Sequence, residues 1–211
     1  PGVDDRGGSD GLMHHHGEQR GRRSAVATAP QVALVGNPNS GKSSLYNTLT
    51  EGHAHVGNFP GITVDVIEAE ATLPGGLKAL VFDLPGTYSL LPHSPDEVVV
   101  REALLGMVPG EEPPDVLVLV LDATNLERNL FLATQVMELG IPCVVALNQV
   151  DLALEQNVRL DPALLAERIG VTVTATCGRT GQGRDELAAA IVNAARVPPP
   201  IALEFPQEVL D

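Results

Sequence analysis

From Gln31 onward, short apolar runs alternate with segments in which apolar residues recur at helical spacing. The runs VALVG, VLVLVLDA and CVVALNQ are apolar almost throughout, which is typical of strands buried on both faces of a sheet. TVDVIEAEATL and LKALVFDL predict two further strands joined by the turn PGG, and VTVTAT predicts a weaker last strand. The pattern therefore predicts an α/β fold of three layers, with a mostly parallel six-stranded sheet, one antiparallel edge strand and helices on both faces.

The segments between these strands begin and end with residues that are typical of helix ends. Ser94 to Glu97 supplies an N-cap, a proline at the first helical position and a glutamate three residues after the cap. Asp161 and Pro162 begin the segment ALLAERI, which Gly170 ends. Further helices are predicted in GKSSLYNTLT, in LERNLFLATQVMEL after Asn125, and in ELAAAIVNAA from Asp185.

The two ends of the chain lie outside this pattern. Residues 1–29 are rich in Gly, Arg, Ser and His without an apolar period, which predicts a disordered N-terminal extension. Its segment MHHHGE is interpreted as part of a flexible tail, with a metal site at His14 to His16 as the alternative. After Arg196 the run VPPP predicts a linker, so residues 30–197 are expected to form one domain and 198–211 to lie beyond it.

Composition and charge narrow the classes of function. The chain has 211 residues and a net charge of −14, and only 3% of its residues are aromatic. Through Ala29 there are four acidic and four basic residues, so the whole negative excess belongs to the part that follows. An acidic body of this kind disfavours nucleic acid as a partner. Two cysteines suit a reducing cytoplasm, and no apolar run approaches the length of a membrane span.

Gly36 to Ser43 matches the pattern G-x-x-x-x-G-K-[ST] between a predicted strand and a predicted helix. Such a loop surrounds phosphate oxygens with backbone amides, and the helix N-terminus adds a partial positive charge. We expect Lys42 to reach the β- and γ-phosphates and the hydroxyl of Ser43 to hold Mg²⁺. The residues predicted to line this phosphate site are Asn37, Asn39, Ser40, Gly41, Lys42, Ser43 and Ser44.

Two more motifs follow other predicted strands. Asp83 to Gly86 reads D-x-x-G, in which the acid can hold Mg²⁺ through water and the glycine amide can approach the γ-phosphate. Asn148 to Asp151 reads N-x-x-D, and the carboxylate of Asp151 can accept from both the ring N–H and the amino group of guanine. Adenine offers no such pair, so the motifs together predict a site for GTP and GDP.

The order of these motifs resembles the Ras-like class of GTP-binding proteins. Their fourth motif usually reads N-K-x-D, and Gln149 here shortens the side chain and removes its charge, which predicts weaker nucleotide binding without a change of base. Cys177-Gly178-Arg179 matches the place of their fifth motif, whose amide at Gly178 would contact the guanine carbonyl. Cys177 is interpreted as a small buried residue, with a redox role as the alternative.

A closer resemblance rests on GNPNSGKSSLYN, HVGNFPGITVD and DLPGTYSL. These segments are similar to the N-terminal G domain of the ferrous iron transport protein B (FeoB) family, over roughly residues 31–196. In that family a helical domain and a polytopic membrane domain follow, and PPPIALEFPQEVLD looks like the start of the helical domain. The resemblance implies a soluble regulatory domain at the cytoplasmic face of the bacterial inner membrane. Its expected partners are guanine nucleotide and the transport domain of the same chain, with oligomers possible through the full-length protein.

Two usual contributors to GTP hydrolysis are missing. Thr87 stands where many G proteins carry a glutamine after D-x-x-G. Between Lys42 and Lys78 there is neither Lys nor Arg, so the first switch, about Glu51 to Val64, cannot supply an arginine to the transition state.

The resemblance implies a replacement for the arginine. Asn39 matches the position that holds a potassium ion where an arginine would otherwise lie. Thr63 in GNFPGITV, preceded by Gly61 and Ile62, matches the switch threonine that contacts Mg²⁺ and the attacking water. Asn39, Thr63 and Gly86 are therefore the expected catalytic residues, Ser43, Thr63 and Asp83 the Mg²⁺ ligands, and Asn39 the K⁺ ligand.

Two other functions stay open at this point. A free-standing assembly GTPase acting on ribosomes or tRNA would share these motifs, although the acidic body disfavours it. A module that binds GTP without hydrolysing it would be consistent with Gln149 and Thr87.

Overall fold

The computed structural model describes the chain over residues 29–53, 55–58, 65–92, 94–105 and 113–196. The N-terminal extension apart from Ala29, residues 198–211 and the predicted switch residues Gly61, Ile62 and Thr63 lie outside these ranges.

The described residues contain one seven-stranded sheet. Its strands are β1 (Gln31–Gly36), β2 (His55–Asn58), β3 (Asp65–Leu73), β4 (Leu77–Asp83), β5 (Val116–Asp122), β6 (Cys143–Asn148) and β7 (Val173–Ala175). Their spatial order is β2-β3-β4-β1-β5-β6-β7. From β4 to β7 every neighbouring pair is parallel, whereas β2 with β3 and β3 with β4 are antiparallel.

The predicted α/β class is confirmed, with one strand more than the six expected. The additional strand is β2, which pairs with the outer side of β3. Its four residues, HVGN, are too few and too polar to present an alternating apolar pattern, and only pairing with β3 makes them a strand. The predicted turn PGG does join β3 to β4, with Leu73 opposite Leu77 and with Gly75 and Gly76 at positive φ.

Six helices accompany the sheet within the described ranges. They are α1 (Lys42–Leu49), α2 (Pro95–Leu105), α3 (Leu126–Met137), α4 (Val150–Glu155), α5 (Pro162–Ile169) and α6 (Arg184–Ala194). The short helix α4 has no counterpart among the predicted helices, and α6 begins one residue before Asp185 because Gly183, at φ 77°, caps it. Within those ranges, no helix combines the length and apolar character needed to cross a membrane.

The sheet has a hydrophobic core on each face. Successive residues of β1 alternate between the two, since Ala33 and Val35 join the core that contains α2 and α3. Val32 and Leu34 join the core that contains α1 and α6. This two-sided burial is why the β1, β5 and β6 sequences are apolar almost throughout.

Asp161 and Gly170 bound helix α5 as the sequence predicts. The carboxylate of Asp161 accepts a hydrogen bond from the Leu164 amide at 2.9 Å, which satisfies one free N–H of the first turn. Gly170 ends the helix at φ 71°, a left-handed conformation that residues other than glycine rarely adopt.

We predict that Asp161→Ala lowers the free energy of unfolding by about 1 kcal/mol, because the Leu164 amide loses its acceptor. Asn125→Ala is the matched control, since Asn125 holds the same position before α3 but its side chain makes no capping hydrogen bond. Chemical denaturation of both variants measures the difference, and equal losses would contradict the capping assignment.

Candidate nucleotide-binding site

The three sequence motifs meet at one edge of the sheet. Strands β1, β4 and β6 are parallel members of the sheet, and they end at Gly36, Asp83 and Asn148. Because the carboxyl ends of parallel strands point the same way, the loops that follow them share one edge, where α/β proteins commonly bind ligands. The fold thus gathers residues that are more than a hundred positions apart in the sequence.

The loop after β1 has a backbone that depends on Gly41. This residue lies at φ 80°, and a Cβ added there would collide with the side-chain amide of Asn148. Asn39 also has a positive φ of 67°, which Asn tolerates better than most residues. The tight turn places Lys42 at the first position of α1, with its side chain directed into the protein.

Lys42 and Asp83 form a buried ion pair. Lys42 is 8% exposed and Asp83 7% exposed, and Nζ of the lysine contacts Oδ1 of the aspartate. Each group is the counter-ion of the other, as buried charges require.

Tyr46 lies one turn further along α1. Burial raises the pKa of its phenol to about 12, and the charges of Asp83 and Glu68 add to this effect. The Tyr46 phenol is therefore neutral at physiological pH.

Two buried polar atoms of the loop fit an external ligand. Among the described residues, neither Oδ1 of Asn37 nor Oγ of Ser40 has a hydrogen-bond partner. Such atoms are rare in folded proteins, and a hydroxyl can donate to a phosphate oxygen. The Ser40 hydroxyl and the Lys42 ammonium therefore suit an anionic ligand, whereas the Asn37 oxygen can only accept and suits a donor group or a cation. Ser43 and Ser44 are exposed at the start of α1, and Asn39 is exposed in the loop itself.

Asn148 joins the loop after β1 to the loop after β7. Its Nδ2 donates to the Ser40 carbonyl at 2.9 Å, and its Oδ1 accepts from the Gly178 amide at 3.0 Å. Gln149, next in the chain, donates from Nε2 to the Asn39 carbonyl at 2.7 Å. The glutamine that replaces the usual lysine therefore contacts the predicted phosphate loop, a role that its sequence position did not indicate.

Gly178 is held from a second direction by α1. The hydroxyl of Thr48 donates to the Gly178 carbonyl at 2.7 Å. A Cβ at Gly178 would lie 2.7 Å from the Leu45 amide nitrogen, so no larger residue fits without a shift of α1. The neighbouring Cys177 is buried, in agreement with its interpretation as a small packing residue.

Asp151 and Arg179 pair at the outer end of the site. Asp151 lies in the first turn of α4 and accepts from a terminal guanidinium nitrogen of Arg179 at 2.7 Å. This hydrogen bond is the main reason that the pKa of Asp151 lies below its usual value. Burial raises the pKa, but Cys177, the Leu152 amide and the Arg179 charge also lower it. Asp151 therefore keeps its negative charge at any neutral or mildly acidic pH.

The segment after β4 returns to the loop after β1. The Thr87 amide donates to the Gly36 carbonyl at 3.2 Å, and a Cβ at Gly86 would lie 3.1 Å from backbone atoms of Pro38. Thr87 itself is fully buried, and its hydroxyl donates to the Ser89 carbonyl at 2.7 Å. The hydroxyl at the position of the missing glutamine is thus engaged within its own segment.

Helix α3 also reaches this segment, which the sequence reasoning missed. Nδ2 of Asn37 donates to the Arg128 carbonyl at 3.4 Å, and the Arg128 guanidinium lies 4.1 Å from the centre of the Tyr88 ring. The available signal was that α3 begins directly after β5, whose carboxyl end lies beside that of β1.

Similarity to known proteins agrees with this arrangement. The sequence profile of the ferrous iron transport protein B family matches residues 30–191. The Fe(2+) transporter FeoB of Salmonella typhimurium is 44% identical over 164 residues, which cover 76% of this chain and 20% of that protein. The Fe(2+) transport protein A/Fe(2+) transporter FeoB fusion protein of Porphyromonas gingivalis is 44% identical over 157 residues, which cover 74% of this chain and 18% of that protein. The chain spans about a fifth of the length of these curated relatives.

Solved structures extend the similarity to three dimensions. The FeoB G-domain of Methanococcus jannaschii matches with a TM-score of 0.67 and 37% identity, covering 80% of this chain and 98% of that one. The cytosolic domain of the T. maritima FeoB iron transporter in a GDP form matches with a TM-score of 0.74 and 35% identity, covering 84% and 68%. These matches confirm both the predicted P-loop GTPase fold and the resemblance that the motifs suggested. The chain belongs to the ferrous iron transport protein B family, of which it carries the N-terminal G domain.

Proposed function

We propose that this chain is the GTP-binding and GTP-hydrolysing regulatory domain of a bacterial ferrous iron transporter. The proposal rests on the Asn148 side chain, which bonds two loops. One bond goes to the carbonyl of Ser40 in the phosphate loop, and the other comes from the amide of Gly178 in the Cys177 to Arg179 loop, which is predicted to contact the base. A nucleotide that contacts both loops needs them at a fixed position relative to each other. T. maritima FeoB has been solved in GDP and GMPPNP forms, which favours guanine nucleotide as the ligand here.

The phosphate end of the site is formed by the loop after β1. Lys42 and Ser40 supply the positive charge and the free hydroxyl, and Lys42 leaves Asp83 when it turns to the phosphates. Ser43, Thr63 and Asp83 are the proposed ligands of Mg²⁺, an ion that screens the charge of the phosphates when bound. Release from Lys42 leaves the Asp83 carboxylate available for this role.

The base end of the site is formed by the segments after β6 and β7. The Asp151 carboxylate accepts from the guanine N–H groups, and the Gly178 amide lies beside it in the Cys177 to Arg179 loop. Asn148 and Gln149 position the two loops through their bonds to Ser40 and Asn39. Adenine offers no matching pair of N–H groups, so it gains nothing from this carboxylate in exchange for the Arg179 contact.

Hydrolysis relies on Thr63, Gly86 and Asn39. Thr63 and the Gly86 amide are proposed to orient the attacking water and to contact the γ-phosphate. The exposed side chain of Asn39 and nearby backbone carbonyls are proposed to hold K⁺, which supplies positive charge beside the phosphates when bound. With Thr87 engaged internally, we expect a slow reaction without potassium.

The wider setting of the domain follows from its relatives. Because the chain spans about a fifth of the curated FeoB transporters, the transport of ferrous iron would belong to other parts of a longer protein. The proposed boundaries are 30–197 for the G domain and 198–211 for a linker and the start of a helical domain. We place the domain at the cytoplasmic face of the inner membrane, with the transport domain of the same chain as its partner. These relatives favour this function over that of a free-standing assembly GTPase.

Asp151→Asn should reduce affinity for GTP by at least about 100-fold and favour xanthosine triphosphate, because the amide donates where the carboxylate accepts. Titration with fluorescent analogues of both nucleotides measures the reversal. Glu155→Gln is the matched control, since it removes an exposed carboxylate at the other end of the same helix. A variant that binds GTP as tightly as the parent would disprove the base assignment.

Arg179→Ala should raise the pKa of the Asp151 carboxyl, because the hydrogen bond that lowers it is lost. Carbon-13 NMR titration of Asp151 should therefore have its midpoint at higher pH in the variant. Guanine binding, which needs the carboxylate, should fail at a correspondingly higher pH as the solution is acidified. Arg168→Ala in α5 removes an exposed arginine elsewhere and should leave the midpoint unchanged. The same midpoint in Arg179→Ala as in the parent would refute the pairing.

Single-turnover GTP hydrolysis at equal ionic strength in potassium and in sodium tests the proposed reaction. We expect the parent to be faster in potassium, by no more than the roughly 10³–10⁵ that an arginine contributes elsewhere. Asn39→Ala should lose the difference between the salts while still binding GTP. Asn47→Ala on the exposed side of α1 should keep it. Equal parental rates in both salts would remove the support for potassium at Asn39. The absence of any phosphate release would indicate a module that binds GTP without hydrolysing it.

A further inference from the structure

Helix α3 lies against the segment that carries Gly86. Oε1 of Gln135 accepts from the Ser89 hydroxyl at 3.1 Å and from the Leu90 amide at 2.9 Å. Two turns nearer the start of α3, the Arg128 guanidinium stacks on Tyr88 with 4.1 Å to the ring centre. Three successive residues after Thr87 are therefore attached to one rigid element.

The same turn of α3 is attached to the phosphate loop. The carbonyl of Arg128 accepts from Nδ2 of Asn37 at 3.4 Å. Arg128 thus contacts the phosphate loop through its backbone and the segment after β4 through its side chain. A displacement of Tyr88 away from Arg128 would separate that segment from a fixed point on the loop.

Gly86 is the site residue that lies nearest to this contact along the chain. It lies two residues before Tyr88 and packs on the backbone of Pro38, next to Asn37. The Thr87 amide bond to Gly36 joins these segments on one side, and the Tyr88 ring contributes, beside the Gln135 bonds to Ser89 and Leu90, to holding Gly86 on the phosphate loop. Both Arg128 and Tyr88 are exposed, so burial of apolar area contributes little to this contact and the guanidinium–ring attraction contributes most.

We propose that Arg128 is a positioning residue for GTP hydrolysis, which holds Tyr88 and thereby keeps the Gly86 amide in place for the γ-phosphate. This inference rests on the proposed function. It concerns the γ-phosphate alone, because GDP offers nothing to Gly86. Loss of the contact should slow hydrolysis and leave GDP affinity unchanged.

Single-turnover hydrolysis and GDP titration of four variants and one control variant test the proposal. Arg128→Ala and Tyr88→Leu should each hydrolyse GTP about two- to five-fold more slowly, the change that corresponds to about 0.5–1 kcal/mol for an exposed cation–π contact. The double variant should be no slower than either single one, because both changes remove the same contact. Tyr88→Phe keeps the ring and should retain most of the parental rate. Arg168→Ala controls for the loss of an exposed arginine elsewhere.

Hydrogen exchange gives a readout that needs no turnover. Amides of residues 86–91 should exchange faster in Arg128→Ala than in the parent, whereas those of α5 should not change. Parental rates and parental exchange in Arg128→Ala would overturn the proposal, as would a loss of GDP affinity as large as the loss of rate. A parent that releases no phosphate would refute the proposed reaction and the positioning role in it, and exchange would still decide whether Arg128 holds the segment.

Discussion

The buried side chain of Asn148 is the interaction on which the site depends. It lies at the end of β6 and bonds two loops whose central residues, Ser40 and Gly178, are far apart in sequence. Its hydroxyl neighbour Thr176 donates to the same Oδ1 at 3.3 Å. Loss of this amide would leave the buried Ser40 carbonyl without a partner, at a cost of about 1–3 kcal/mol, and would also free the part-buried Gly178 N–H. The loops would then be free to move independently, and a ligand that contacts both would have to restore their arrangement.

Two ion pairs lie at opposite ends of the proposed site, and they differ in how deeply they are buried. Lys42 and Asp83 are almost completely buried, so neither can lose its partner without gaining another charge in exchange. A phosphate for the lysine and a cation for the aspartate meet that condition together. Asp151 and Arg179 lie near the surface, where water screens the pair and its exchange with a ligand costs little. In the proposed site, the phosphate end would therefore be coupled to the charge of the ligand, whereas exchange of partners at the base end would cost little.

The acidic character of the chain does not conflict with an anionic ligand. The net charge of −14 is spread over residues 30–211, whereas Lys42 and the N-terminus of α1 provide positive charge locally at the phosphate loop. Local geometry thus outweighs the overall charge. The same geometry brings Arg128 of α3 beside the segment after β4, in a site whose first switch has no basic residue.

The sequence alone determined the fold class, the places of the long strands along the chain and the identity of the nucleotide motifs. Apolar runs such as that of β5 can only be buried on both faces, and Gly41 followed by Lys42 has a local reason to form a phosphate loop. Helix ends at Asp161 and Gly170 were likewise decided within a few residues.

Only the tertiary structure decided features that depend on a distant partner. β2 is a strand because β3 supplies its hydrogen bonds, and α4 is a helix of six residues that carries too short a pattern to predict. The bond of Gln149 to Asn39, the link from Thr48 to Gly178 and the stacking of Arg128 on Tyr88 each join residues on separate elements. A sequence pattern reports the periodicity of one segment, whereas these contacts arise from the positions at which different segments meet in the folded chain.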